Sequence, residues 1–512
     1  MIVVRKVLLM TRFNKLVLAL MPLAFLGVEF LNAVLFFIHR FDTVRTVLVF
    51  GVLCVACGVL MLKMVFIWLQ RREVRKTLYC VATIPTVFLV LFAWAYFSLE
   101  DLDFAVISIG TNFIRLVMMC CAATILLLEK KFKQFFDVFR VYAILLSPVA
   151  LYYCIRLYLP TATYEMTNLP TVDYMSMAYL LFALILFLIF DIIANGEEIK
   201  RMWYWTNYAL CLLFVIAIAL TGTKGTFLCA VFSCVLCLIY MLVIKKRGFL
   251  FPISVLLGLL MFATVLYPSY NFENRALTFL KQMEPDSAAN IQLEALPPKP
   301  DFSQSPSQAP SEEPSNDSSA PSAPAPDEEN TVKVPTRLMD MIECYDNGMA
   351  LQMYGQGVIT EEQFSYMRVL ANTWRNSFLA GRKILWRSAL QEIRTAPVWG
   401  QGPFSFWHEY GTYPHNLLIE IATDFGLIVT VAVLAFAVYM LIRFLKYVWR
   451  RSTVHALFLI YILSFMPQLM VSGSVYDAMS FFFFGFAAVL LFCKKDLYPE
   501  EKKAEDDSNL KT

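Results

Sequence analysis

Apolar runs of about twenty residues recur along this chain, separated by short polar loops, and each is long enough to cross a hydrocarbon core of about 30 Å as a helix. The pattern predicts spans at 16–38, 46–69, 77–98, 104–128, 136–159, 175–194, 203–221, 225–244, 249–268, 417–442, 453–471 and 475–493. Strands of a membrane barrel would instead alternate apolar and polar residues over about 10 positions. The expected fold class is an all-α polytopic membrane protein of about twelve transmembrane helices. The first run, starting near Lys15, is of membrane length and lacks a small-residue cleavage site, so it reads as a helix that stays in place.

Composition agrees with the pattern. The chain is 59% hydrophobic and 16% charged, against about 25% charged in an average soluble domain. The net charge of +3 matters less than where the charges fall. The basic stretches at the N-terminus and at 70–76, 129–133, 245–247, 443–451 and 494–495 occupy alternate loops. By the positive-inside rule these loops and both termini are cytoplasmic. The opposite loops, "SLEDLD" at 98–103 and "SGSVYD" at 472–477 among them, carry no Lys or Arg. Arg40, Arg45, Arg156 and Lys224 are the exceptions on that side.

A single long loop, between the ninth and tenth spans, lies outside. Its stretch "PKPDFSQSPSQAPSEEPSNDSSAPSAPAPDEEN" is acidic and rich in Pro, Ser and Ala. Such composition buries too little apolar surface to offset the entropy of ordering. The expected organisation is a membrane bundle at 1–268, a disordered insert at 269–333, a helical extracytoplasmic cap at 334–416, membrane helices at 417–493 and a charged cytoplasmic tail at 494–512. The cap carries two expected helices, near 361–379 and 382–395. Most cysteines, including the C-x-x-C pairs at 54–57 and 234–237, lie in apolar runs and read as small hydrophobes. Cys344 stands in the aqueous segment.

Charge in the cap is one-sided. Arg368, Arg375, Arg382, Lys383, Arg387 and Arg394 are opposed in that stretch by Glu392 alone. Arg368, Arg375 and Arg382 are spaced seven apart, although Gly381 is a candidate helix break. Arg382 and Trp386, four apart, share a helix face. Guanidinium groups pair bidentately with phosphate oxygens, so a polyanionic ligand fits such a face, as do solvent and lipid phosphates. The chain then reads "TAPVWGQGPFSFWHEYGTYPHNLLIEIATDFG". Pro397 ends the second cap helix, Gly400, Gly402 and Pro403 make an irregular turn, and His415 or Asn416 caps the helix from Leu417. Glu420 and Asp424 lie inside the apolar run, where acids are costly and mark functional or packed polar sites. His408 reads as an exposed loop residue and His455 as the cytoplasmic start of a helix. At "ALTGTKGTFL", 219–228, Lys224 sits in a Thr/Gly turn between two spans, as a phosphate contact or as an ordinary snorkelling lysine.

The ensemble resembles the O-antigen ligase and polymerase superfamily of bacterial membrane glycosyltransferases. Arg382, Trp386, Pro397, Gly400, Gly402, His415, Asn416 and Gly426 follow the order of that family's outer-loop motif. Thr221-Gly222-Thr223-Lys224-Gly225 is similar to the family's Ser-Arg-Gly element, with Lys224 where the family usually has Arg. The acidic insert near 285–333 is not part of the pattern. The resemblance implies a glycan donor on undecaprenyl diphosphate, a glycan or lipid-linked acceptor, surrounding membrane lipids and other polysaccharide-assembly proteins as partners, and the cytoplasmic membrane of a bacterium as location. It implies metal-independent, inverting transfer with no cofactor and no nucleic acid. Polymerase is preferred over ligase.

By the same resemblance, His415 is the general base, while Arg382 and Lys224 stabilise the diphosphate. Arg375, Arg387, Trp386, Gly400, Gly402, Asn416 and Asp424 would bind substrate. The alternatives are a transporter or flippase for an anionic lipid-linked glycan, and a non-catalytic scaffold for envelope assembly. Replacing His415 separates catalysis from both.

Overall fold

The computed structural model describes residues 2–36, 42–98, 103–158, 169, 171–195, 199–221, 223–245, 250–265, 334–335, 337–376, 378–449, 453–471 and 474. Helices lie over the first eleven predicted spans. The twelfth, 475–493, falls outside the described residues, as do the insert at 269–333 and the tail at 494–512. Seven of the described helices are long and apolar enough to cross a membrane. The chain is a multi-pass, helical membrane protein.

It divides into two compact units, Met1–Glu273 with Thr430–Thr512, and Asn274–Val429. The first unit holds α1 (Ile2–Val34), α2 (Asp42–Gln70), α3 (Arg75–Ser98), α4 (Asp103–Glu129), α5 (Phe132–Tyr158), α6 (Tyr174–Asn195), α7 (Arg201–Thr221), α8 (Lys224–Tyr240) and α9 (Leu250–Val265). The centre is α6, whose span Met175–Asn195 is 94% buried, whereas only 28% of the α2 span is covered. An apolar helix buried all round belongs to the interior of a bundle, and one apolar and bare belongs against lipid. Phe25 of α1, Phe135 and Phe139 of α5 and Phe187 of α6 pack edge-to-face or stacked around the middle of the unit.

Charges inside this unit are paired, as the cost of burying a lone ion demands. Arg140 of α5 pairs with Asp191 of α6, and its Nε donates to Asn207 Oδ1 of α7 at 2.8 Å. Asn207 Nδ2 donates in turn to Asp191 Oδ2 at 2.8 Å. Arg115 of α4 pairs with Glu29 of α1 at 2.9 Å. Lys63 of α2 pairs with Glu129 at the end of α4.

The second unit holds the segment expected as a cap, followed by the start of a long helix. It holds α10 (Leu338–Asp346), α11 (Met349–Gly355), α12 (Glu361–Asn376), α13 (Phe378–Thr395) and α14 (Ser405–Tyr410), and it leads into α15 (Leu417–Trp449). Two further helices of the first unit, α16 (Thr453–Ser464) and α17 (Met466–Val471), follow. The cap has its own small core, in which Met341, Met353, Met367, Leu370, Leu385 and Phe406 come together from five helices. Cys344 is buried there, its thiol 3.7 Å from Met353 Sδ, and burial pushes that thiol up from its ordinary value. Helix α12 starts in a capping box. Thr360 N donates to Gln363 Oε1 at 2.8 Å, and Gln363 N donates to Thr360 Oγ1 at 3.2 Å.

Two local expectations change. Gly381, the candidate helix break, lies inside α13. Glycine costs about 1 kcal/mol in a helix interior, and burial of Ile384, Leu385 and Ala389 on α13 offsets it. Arg368 and Arg375 stand on α12 and Arg382 on α13. The segments before and after the two expected helices are helical too, in α10, α11 and α14.

Candidate functional site

Helix α13 carries Arg382, Trp386 and Arg387. Trp386 Nε1 donates to the Pro414 carbonyl at 2.9 Å. That carbonyl belongs to the peptide immediately ahead of His415, so the helix that presents Arg382 also holds the backbone at His415. Arg382 is partly buried, and Arg387 and Lys383 are exposed.

His415 has a left-handed backbone, φ 56°. This conformation is uncommon for a side-chain-bearing residue and costs of order 1 kcal/mol or more unless the surroundings enforce it. They do so from both sides, through the Trp386 bond to Pro414 and through Asn416. Asn416 Oδ1 accepts from Leu418 N and Ile419 N, both at 3.1 Å, and so caps α15. The cap is thus Asn416, and the imidazole of His415 is left for other work. Its ring lies 4.3 Å from that of Tyr413. Its Nδ1 is buried and has no hydrogen-bond partner among the described residues. Burial, and then the charge of the Arg382 guanidinium, push its pKa down from 6.5 to about 4. The imidazole is therefore neutral at physiological pH, the form that can accept a proton.

The glycine turn is clasped to the first turns of α15. Gln401 N donates to Thr423 O at 2.8 Å, Gly402 N to Asp424 O at 2.9 Å, and Leu427 N to Pro397 O at 2.8 Å. A helix normally keeps its carbonyls for the amides four residues on. Here Gly426, at φ 79° and ψ 176°, breaks the ladder and releases them. A Cβ on Gly426 would drive into the Val398 carbonyl, and one on Gly400 would lie 2.5 Å from the Asp424 carbonyl. Gly400 also has φ 73°, so neither position admits a side chain without strain. The Asp424 carboxylate completes the clasp. Oδ2 accepts from Phe404 N at 2.9 Å and Oδ1 from Ser405 Oγ at 3.2 Å, with the residue 1% exposed.

In the other unit, Thr221 and Thr223 join their hydroxyls at 2.7 Å across the tight link from α7 to α8. Lys224 is the first residue of α8. A Cβ on Gly225 would come 2.8 Å from the Tyr179 hydroxyl, so the glycine permits a close approach there. The side chains of Lys224 and Arg375 lie outside what the structure describes.

Within the second unit, then, Arg382, Trp386, His415 and Asn416 form one constellation, and Gly400, Gly402 and Asp424 form the adjoining clasp. His408 is exposed in the last turn of α14. Sequence reading missed Tyr413, although its place two residues before His415 in an aromatic stretch was a signal. It also missed Phe404 and Ser405, whose tie to Asp424 spans about twenty residues and has no periodic trace.

Residues 209–434 match a family model described as O-antigen ligase. The matched stretch contains the Thr221–Gly225 link, the described cap and the clasp. No curated protein and no solved structure matches the chain.

Proposed function

We propose, from the premise that residues 209–434 are an O-antigen ligase domain in a multi-pass membrane protein, that this glycosyltransferase takes its glycan from an undecaprenyl-diphosphate donor and acts as a polymerase. The carrying observation is the neutral His415 beside a guanidinium, on a backbone braced from both sides. In the proposed step the acceptor hydroxyl gives its proton to His415 as its oxygen bonds to the anomeric carbon. The bond from that carbon to the donor phosphate breaks, and the electron pair leaves with undecaprenyl diphosphate. One displacement inverts the anomeric centre, and no metal enters the step.

The electrostatics favour this order of events. The Arg382 charge depresses the basicity of His415. A diphosphate paired with Arg382 would offset that charge and raise the imidazole pKa toward neutrality, so the base strengthens when the donor is bound. Lys224 is assigned a second diphosphate contact from its place in the motif. At the first residue of α8 a cation is opposed by the helix dipole, by about 0.3–1 kcal/mol, so helix stability gives no reason for it. Arg375 and Arg387 would extend the anionic subsite.

The proposed setting is the cytoplasmic membrane, with the cap outside and both termini cytoplasmic. The test is the lipid-linked glycan profile of a deletion strain complemented with wild type or His415→Ala. Single repeat units accumulating in the deletion and in the variant support the polymerase. Full-length lipid-linked chains would show a ligase instead. A normal profile with well-expressed His415→Ala would sink the catalytic reading.

A further inference from the structure

Trp399 is 76% exposed and its neighbour Val398 is 45% exposed, on the turn that follows α13. Large apolar side chains side by side in the open are unusual on an aqueous surface. This turn is bonded, through Pro397 O and the amides of Gln401 and Gly402, to residues 423–427 of α15. Those residues lie within the membrane-crossing stretch Leu417–Ile442, which is 26 residues long. The turn meets this stretch on both sides of the Gly426 break. The next helix residues, Leu427 and Ile428, are themselves 46% and 55% exposed.

We infer that the Pro397–Gly400 turn is inserted into the bilayer, with Val398 and Trp399 seated among the upper acyl chains and head groups of the leaflet that the Leu417 end of α15 enters. Irregular backbone survives at that depth only if its polar groups are satisfied within the protein. The two ends of this turn are held in this way. Pro397 brings no N–H, and its carbonyl accepts from Leu427. Gly400 N donates to Ala396 O at 3.0 Å, and the next two amides donate to α15. Indole prefers this boundary, where its ring is apolar and its N–H reaches head groups. Arg394, exposed in the last turn of α13, supplies a cation for a lipid phosphate. The occupant of the patch is the lipid itself, and the turn fixes how deep the clasp rides.

The test uses the full-length protein in nanodiscs of phosphatidylethanolamine and phosphatidylglycerol, in wild-type and Trp399→Phe forms. Subtracting the two emission spectra isolates Trp399. That component is expected to be blue-shifted, to lose most of its intensity when the lipids are brominated near the top of the acyl chain, and to resist aqueous iodide. A component quenched by iodide and untouched by bromolipid would overturn the inference by placing Trp399 in water. One quenched by neither would overturn it by placing the indole against protein. Because the side chain is exposed, Trp399→Phe leaves the packing of the cap intact.

Discussion

Trp386 and Pro414 are joined by a 2.9 Å hydrogen bond from indole to carbonyl. The bond links the middle of α13 to the peptide that precedes His415, so Trp386 acts on His415 through the backbone. Trp386→Phe keeps the ring and loses the donor. A neutral hydrogen bond is worth about 1 kcal/mol net, so kcat is expected to fall about five- to tenfold. KM and the pH profile should stay unchanged. A raised KM with kcat intact would instead make Trp386 a substrate contact.

Arg382 lowers the basicity of His415 through its charge. In Arg382→Gln only burial remains to depress the imidazole, so the acid limb of kcat/KM should move to higher pH. The rate at the optimum should drop by at least about a hundredfold, as for loss of a donor that stabilises transition-state charge. An unmoved acid limb would separate the two residues electrostatically.

Stability should report His415 as well. Its pKa is 6.5 ordinarily and about 4 in the fold, so between these values the unfolded chain holds more protons than the native one. The contribution of this group to stability is whole above about pH 6.5 and is lost as pH falls toward about 4. Thermal unfolding of wild type and His415→Asn across that window should show the wild type losing more Tm on acidification. Parallel curves would contradict the shift.

Asp424 is expected to matter for folding more than for binding. Its two oxygens are engaged by Phe404 N and Ser405 Oγ. Asp424→Asn keeps the size and loses one acceptor, at about 1–3 kcal/mol. The measurable result is a lower Tm and yield with an unchanged KM for the protein that does fold. A KM effect at full stability would instead support the expected substrate contact at Asp424.

Gly426→Ala and Gly400→Ala should each destabilise by at least about 1–3 kcal/mol. In both a Cβ meets backbone at a left-handed φ. Gly402→Ala, with open space around it but φ 105°, should cost less. Thermal melts of the three in detergent rank them directly.

The sequence made the apolar helices legible because burial in lipid imposes long uninterrupted runs, and helices duly lie over 175–194 and 203–221. The two expected cap helices were legible from their aromatic and aliphatic spacing, and helix covers 361–376 and 382–395 among the described residues. Arg382 and Trp386 could be put on one face by counting. The acceptor for Trp386 could not, because a main-chain carbonyl leaves no mark on residue identity. Asp424 was visible as an acid in an apolar run, but its partners come from a segment about twenty residues earlier. The break at Gly426 was hidden for a related reason. Nothing in "ATDFGLIV" distinguishes a glycine that ends a hydrogen-bond ladder from one that a helix merely tolerates.

The clasp between the glycine turn and α15 has a metering effect. Asn416 fixes where the helix begins, and the Thr423 and Asp424 carbonyls fix where it is gripped. Each residue added between these points would rotate His415 by about 100° around the helix axis relative to the turn. Aim of the imidazole is therefore set by a count of residues as much as by their kinds. A single insertion or deletion between Leu417 and Ala422 should silence the protein while leaving every named side chain in place.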